Sequence, residues 1–214
     1  MKQISNLKEG RDINLFLIAS GLWFICVGIQ SVFLPWVLIS VLHVSPFEFG
    51  VAQMCLMLPV LMLVIYGGYL ADIYPLRELL TRIYLLSSLI ALLFAVWTYK
   101  STLTYSILLA YSLLFGILSA FCAPAREAFL NVLGQRQLQK FVTLNIGIEF
   151  GIQVIGFVIG GLVSWLGISL MFVLLATLLL SSSIAVARIS TTTQSKQHSG
   201  LLTQTREAFR FSIH

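Results

Sequence analysis

Three polar side chains share one face of a strongly apolar segment in the second half of the chain. Asn145, Glu149 and Gln153 are spaced i, i+4 and i+8, which places them on the same side of an α-helix. An ionised carboxylate inside a membrane costs about 3 kcal/mol or more, so Glu149 is expected to be protonated or to face a polar cavity. The stripe predicts a substrate or proton pathway. The alternative is a neutral Glu149 that is hydrogen-bonded between helices.

Two further amides lie near mid-membrane depth, Gln30 in the first apolar segment and Gln53 in the second. A buried amide can line a polar path or can hydrogen-bond two helices to each other. The sequence leaves both roles open. We therefore include both residues among the candidates for the pathway.

Glycines recur in the same segment as Glu149. Their small-xxx-small spacing is typical of membrane helices that approach each other closely. The candidates for helix packing are Gly147, Gly151, Gly156, Gly160 and Gly161.

Charged residues at the ends of two apolar segments form a second candidate site. Asp72 follows Gly68 by four residues, one helical turn beyond a close-packing position, and Arg77 lies in the same loop. Pro124 is expected to stop or kink the fourth segment, so that Arg126 emerges at the membrane boundary. The alternative interpretation is an ordinary charged loop and an arginine that snorkels to the interface.

Motifs typical of enzymes and metal sites are absent from the sequence. It contains no HExxH, CxxC or GxSxG, and none of its three histidines has metal-ligand spacing to another. The three cysteines fall inside apolar segments and are interpreted as small apolar side chains. We predict no enzyme activity, no metal and no cofactor.

The elements that must position these residues are membrane-spanning helices. Of the 214 residues, 58% are hydrophobic and 10% are charged, whereas soluble domains contain roughly 25% charged residues. The apolar runs are continuous, unlike the alternating segments of about 10 residues found in β-barrels. We predict an all-α, polytopic transmembrane bundle with six spans at roughly 13–36, 49–71, 79–99, 102–123, 141–163 and 166–187.

Basic residues determine the predicted orientation. All of the 13 Lys and Arg residues except Lys100 fall on one side of the six spans, which predicts cytoplasmic N- and C-termini. Topology thus explains the net charge of +5, and no nucleic-acid partner is needed. We divide the chain into a cytoplasmic N-terminus (1–12), a transmembrane domain (13–188) and a cytoplasmic linker (189–214) that could form a short amphipathic helix.

The order and spacing of these motifs resemble the major facilitator superfamily. Gly68-x-x-x-Asp72 with Arg77 is similar to its loop 2–3 motif, which normally reads G-x-x-x-D-R-x-G-R-R. This chain departs from the motif at Ile73, Pro75 and Leu76.

Further matches resemble the branch that includes the enterobactin exporter and the lysophospholipid transporter. Phe157 stands where exporters of this branch often have proline. The matching segments are Ser45-Pro46-x-x-x-Gly50, Pro124-Ala125-Arg126-x-Ala128, Leu144-Asn145, Asn145-x-x-x-Glu149 and Gly156-x-x-x-Gly160-Gly161.

The resemblance implies a twelve-span fold of two six-helix halves with the substrate path between them, of which this chain supplies the first half. Asp72 and Arg77 would then form part of a cytoplasmic gate with Arg126 and a helix of the second half. We expect a truncated or half-length transporter of a bacterial inner (plasma) membrane. It would export a small amphipathic molecule by alternating access, with proton coupling through Glu149.

The expected partners are membrane lipids, the small-molecule substrate, and a second six-helix half or a second copy of the chain. The alternative function is a non-transporting membrane scaffold or an inactive remnant of a twelve-span transporter. A membrane-embedded enzyme would need a catalytic pair, which the sequence does not offer.

Overall fold

A computed structural model describes residues 2–100, 103–133 and 138–190, and in these residues every regular element is helical. A π-helical segment, Val37–Val41, continues the first helix. The predicted amphipathic helix after residue 200 lies outside the described residues. The α-helices are α1 (Lys2–Trp36), α2 (Pro46–Ile73), α3 (Leu76–Lys100), α4 (Tyr105–Leu133), α5 (Leu138–Gly161), α6 (Val163–Leu166) and α7 (Ile168–Ala187).

Six helices in the described part of the chain are long and apolar enough to cross a membrane. This finding confirms the predicted all-α bundle of six spans. The spans are Gly10–Val41, Pro46–Ile73, Leu76–Lys100, Tyr105–Leu133, Val142–Gly161 and Ile168–Ala187.

Helix α4 does not stop at Pro124 but continues to Leu133. Proline lacks the N–H that would bond to the carbonyl of Ala120, four residues earlier. Membrane helices tolerate this loss where a neighbouring helix packs against the site. Here α2 packs closely, since the Ala120 carbonyl oxygen is 2.6 Å from where a Cβ on Gly67 would lie. Arg126 therefore lies within α4, not beyond its end.

The helices pack in a definite order of neighbours. Three pairs form the main contacts, α2 with α4, α3 with α7, and α1 with α5, and these pairs are joined through α3–α4 and α1–α7. Helices α2 and α5 lie at the two ends of this order. Only 11% of the most apolar stretch of each is buried, against 39–44% in the other four spans. The bundle thus has an open side between α2 and α5, in front of α1 and α4.

Serine hydroxyls fasten α7 to its two neighbours. Ser182 donates to the carbonyl oxygen of Ala19 in α1 at 2.8 Å, and Ser183 donates to that of Thr81 in α3 at 3.0 Å. Short polar side chains of this kind act as interhelical hydrogen-bond donors in membranes. They hold α7 between α1 and α3.

Aromatic rings fill the centre of the bundle. Trp23 of α1 stacks on Tyr84 of α3 and on Phe115 of α4, with ring centroids 5.2 and 5.5 Å apart. Tyr111 and Phe172 meet edge to face at 4.9 Å. These large side chains dominate the contact area of the core.

Glycines bring α1 and α5 into close contact. A Cβ added to Gly156 would meet the Ile25 carbonyl oxygen and would lie 2.9 Å from the Cα of Gly28. A Cβ on Gly160 would lie 2.7 Å from the Ile29 carbonyl oxygen. Two of the five glycines proposed for packing therefore lie at this contact. The other three have no heavy atom within 4 Å of the Cβ position: Gly147, Gly151 and Gly161.

A second pair of glycines brings α2 and α4 together. Besides the contact of Gly67 with α4, a Cβ on Gly116 would lie 2.5 Å from the carbonyl oxygen of Leu56. Gly68, which belongs to the sequence motif, has open space at its Cβ position. The close helix contact is therefore made by Gly67, one residue earlier.

We expect Gly156→Ala to lower the free energy of unfolding by about 1–3 kcal/mol, because the new methyl group would collide with backbone atoms of α1. Gly151→Ala is the matched control on the same helix, where the methyl group meets open space. Thermal and denaturant unfolding of the purified variants measures the difference. Equal stability of the two variants would contradict the proposed glycine contact.

Candidate functional site

A buried ion pair joins α4 to α5. The Nη2 atom of Arg126 lies 3.2 Å from Oε1 of Glu149, and the two side chains are only 10% and 17% exposed. Arg126 can reach this position because α4 continues through Pro124. Arg126 is thus a buried residue within α4 and does not follow the end of the helix. A buried charge is tolerated when a partner of opposite charge lies beside it.

Two further residues complete the surroundings of the ion pair. The Asn145 side-chain amide, one turn earlier on α5, donates a hydrogen bond to Oε1 of Glu149. The ring of Phe24 on α1 lies against the guanidinium group, with the Cζ atom of Arg126 4.1 Å from the ring centroid. A cation over an aromatic face is attracted most strongly where water is excluded. Three helices thus contribute to one charged cluster.

Two cavities adjoin this cluster, and Arg126 contributes to the walls of both. The α4–α5 cavity has a volume of about 220 Å³, and the other two polar residues of the cluster, Asn145 and Glu149, also line it. Its lining residues are Arg126, Glu127, Leu130, Asn131, Val142, Asn145, Ile146 and Glu149.

The α1–α2–α4 cavity has a volume of about 250 Å³ and is mainly apolar and aromatic. Its lining residues are Trp23, Phe24, Val27, Gln30, Ser31, Leu56, Met57, Val60, Phe115, Ser119, Ala123 and Arg126.

The other amides proposed for the pathway lie in different surroundings. Gln30 is 3% exposed, lines the α1–α2–α4 cavity and donates to the hydroxyl of Tyr111 at 2.8 Å. It therefore hydrogen-bonds α1 to α4 and also contributes to the wall of a cavity. Gln53 on α2 and Gln153 on α5 are half-buried, and neither lines either of these two cavities.

The residues proposed for a cytoplasmic gate make separate contacts within this chain. Arg77, at the start of α3, donates to the carbonyl oxygen of Ile189 at 3.0 Å, whereas Arg126 pairs with Glu149. Asp72 is exposed near the end of α2. Arg77 and Arg126 thus have different partners among the described residues.

The contact of Arg77 belongs to a small cluster at the end of α7. Asp12 accepts a hydrogen bond from the backbone N–H of Ser190 at 3.2 Å, and Arg11 donates to the Ser190 hydroxyl at 2.8 Å. Together with Arg77, these residues fasten the end of α7 to the starts of α1 and α3.

Sequence reasoning missed the aromatic half of the site. Trp23, Phe24 and Phe115 are ordinary apolar residues in the sequence, and no spacing links them to Arg126. For the ion pair, one signal was available. Arg126 and Glu149 are opposite charges on successive apolar segments, and such charges inside a membrane are expected to pair.

Comparison with known families decides the classification. The model of a family described as transmembrane secretion effectors, within the major facilitator superfamily, matches residues 13–214. The chain belongs to this family. Its membership confirms the resemblance to the major facilitator superfamily and sets aside the membrane-enzyme alternative. With its six apolar helices, this member of the family is a multi-pass integral membrane protein.

One curated relative of this family member is the staphyloferrin A transporter of Staphylococcus aureus (strain NCTC 8325 / PS 47). The two proteins are 31% identical over 122 residues, which cover 56% of this chain and 30% of the relative. The match thus spans about a third of the relative's length. No solved structure matches the chain.

We expect Arg126→Met to lower the free energy of unfolding by about 3–5 kcal/mol, because it leaves the Glu149 carboxylate buried without a partner. The double variant Arg126→Met/Glu149→Leu should recover most of this loss, since no unpaired charge remains. Unfolding of the purified variants provides the measurement.

The control for this prediction is Arg82→Gln, which breaks an exposed pair with Glu78 whose side chains are 69% and 56% exposed. Its effect should stay within about 1 kcal/mol. A double variant as unstable as Arg126→Met alone would show that the charge pairing does not account for the loss.

Proposed function

We propose that the chain forms part of a secondary active transporter that exports a small amphipathic molecule by alternating access. The observation that carries the proposal is the buried Arg126–Glu149 pair, whose arginine contributes to the walls of two cavities. Ionisable groups inside a membrane are expensive and usually mark the path of a substrate or an ion.

The composition of the α1–α2–α4 cavity supports an amphipathic substrate. Most of its wall is apolar or aromatic, with a few polar groups and one charge, that of Arg126. Small-molecule sites typically combine an apolar lining with a small number of placed polar groups. The apolar wall would bind the body of the substrate, and the polar groups would orient it.

Glu149 is proposed to couple transport to protons. Protonation would remove the charge that Arg126 now balances and would weaken the contact between α4 and α5. Arg126 and Glu127 are the charged groups that share the α4–α5 cavity with Glu149, and Asn145 is bonded to its carboxylate. The paired and unpaired arrangements would provide the two states that alternating access requires.

A second six-helix unit is proposed to cover the open side of the bundle. Helices α2 and α5 flank this side and bury only 11% of their most apolar stretches within the chain. Gly147 and Gly151 on α5 leave open space that a further helix could occupy. The unit would be a second half of a longer transporter or a second copy of this chain, and the substrate path would run between the two units.

The export direction rests on the description of the family as secretion effectors. The relative from Staphylococcus aureus is named for the transport of staphyloferrin A, which places that protein among the transporters of small molecules. We propose a bacterial inner membrane as the location, with both termini in the cytoplasm, because Lys100 is the one Lys or Arg residue that the sequence assigns to the opposite side of the six predicted spans.

A cysteine placed at Ser119, on the wall of the α1–α2–α4 cavity, should react with a membrane-impermeant maleimide from both sides of the membrane. The three native cysteines are first replaced by alanine. Membrane vesicles of known orientation, prepared from cells that express this variant, allow the labelling rates from the two faces of the membrane to be compared. A pH gradient should shift the balance between them, and Glu149→Gln should abolish this shift. Glu78→Gln, an exposed carboxylate on α3, should retain it. Labelling from one side alone at every pH would favour an inert scaffold or remnant.

Fusions of alkaline phosphatase test the proposed orientation, since the enzyme is active only outside the cytoplasm. A fusion after Lys100 should be active, whereas fusions after Tyr74 and after Gln135 should be inactive. The opposite pattern would reverse the assigned orientation of all six spans.

A further inference from the structure

Only part of the Arg126 guanidinium group has a partner within the described part of the chain. Its Nη2 atom pairs with Glu149, but its Nη1 atom is buried and has no hydrogen-bond partner. A buried donor on a charged group that lacks an acceptor carries an unfavourable free energy. A hydrogen-bond acceptor supplied by a bound ligand would remove this unfavourable free energy.

Arg126 is also the one charged residue on the wall of the α1–α2–α4 cavity. Two other polar side chains that line this cavity already have hydrogen-bond partners. Gln30 donates to Tyr111, and the Ser31 hydroxyl donates to the carbonyl oxygen of Val27. Arg126 is therefore the one charged donor among the residues that line this cavity, and its Nη1 atom has no hydrogen-bond partner among the described residues.

The acidic residues near Arg126 are not part of the wall of the α1–α2–α4 cavity. Glu127 and Glu149 line the α4–α5 cavity and do not line the α1–α2–α4 cavity. A ligand in the α1–α2–α4 cavity would thus meet a positive charge without a carboxylate in the same wall. This arrangement disfavours a cationic ligand and favours an anionic one.

The positive charge lies at one end of an apolar chamber. Arg126 contacts Phe24, whereas Gln30, six residues further along α1, contacts Tyr111. These two contacts are separated by about 9 Å along the helix axis. The rings of Trp23 and Phe115 lie in the wall of the same cavity, so a ligand would present its charged group at one end and its apolar body beyond it.

We propose that the α1–α2–α4 cavity binds an amphiphile with one anionic oxygen group, a carboxylate or a phosphate, held by Arg126. An arginine suits both groups because its N–H groups donate charge-assisted hydrogen bonds to carboxylate and to phosphate oxygens. A small movement of the side chain would bring Nη1 to the ligand, and Nη2 would keep its contact with Glu149. This inference rests on the proposed transport function and specifies the substrate class of the same site.

The test uses the full chain in nanodiscs of neutral phosphatidylcholine, with empty nanodiscs as the background. The probes are octanoate, octyl phosphate, octanol and octylammonium, each below its aggregation concentration. Fluorescence of Trp23, in a variant whose other tryptophans are replaced by phenylalanine, reports binding. Octanoate or octyl phosphate should bind about tenfold more tightly than octanol, the effect of one additional charge-assisted hydrogen bond.

Two variants separate recognition by Arg126 from a loss of folding. Arg126→Gln/Glu149→Gln removes both charges, leaves no unpaired ion, and should abolish the preference for anions while octanol still binds. Arg82→Gln, an exposed cation on α3, should leave the preference unchanged. The ratio of octanoate to octyl phosphate affinity distinguishes organic acids from lipid-like phosphates as the source of the anionic group.

Octylammonium binding more tightly than both anions would overturn the proposal, and so would an anion preference that survives in the double variant. Binding equal to that of empty nanodiscs for all four probes would overturn it as well. The outcome is separable from that of the proposed function. Anion binding without labelling of Ser119→Cys from both sides would support this inference and contradict the proposed transport. Labelling from both sides without an anion preference would support transport and contradict this inference.

Discussion

A lipid interior offers no hydrogen-bond partner to backbone or side-chain polar groups, and this constraint governs the whole bundle. Helices satisfy most backbone groups internally, so polar side chains must find partners on neighbouring helices. The serines of α7 do so by donating to carbonyl oxygens of α1 and α3. The same requirement brings Arg126 and Glu149 together, since each charge would otherwise face lipid.

The ion pair does not by itself account for the stability of the bundle. Removing two charges from water costs free energy that their attraction repays only with favourable geometry and additional hydrogen bonds. Glu149 has such support from Asn145, and the ring of Phe24 supports Arg126. Arg126 nevertheless retains an unpartnered Nη1 atom. The pair is thus better explained by a functional role than by a contribution to the stability of the bundle.

Close packing and open surface are distributed unevenly over the helices. Gly28 and Gly156 allow α1 and α5 to touch along their backbones, and Gly67 and Gly116 do the same for α2 and α4. Helices α2 and α5 each have one principal partner, so most of their remaining surface stays outside the core. The uncovered side between them is the side that the proposed second unit would cover.

Apolar run lengths determined the six helices, because a lipid-crossing backbone can satisfy its own hydrogen bonds in few other ways. Motif order was sufficient to indicate the family, and the helical period placed Asn145 and Glu149 on one face. Sequence could not show that α4 continues through Pro124, because that outcome depends on the packing of α2 against the site. It also could not show which glycines are in contact, since Gly156 and Gly151 differ only in what lies opposite them. Opposite charges on successive apolar segments were one signal for the pairing of Arg126 with Glu149. Their contact with each other and with Phe24 was decided by the tertiary structure, because it depends on how three separate helices approach one another in space.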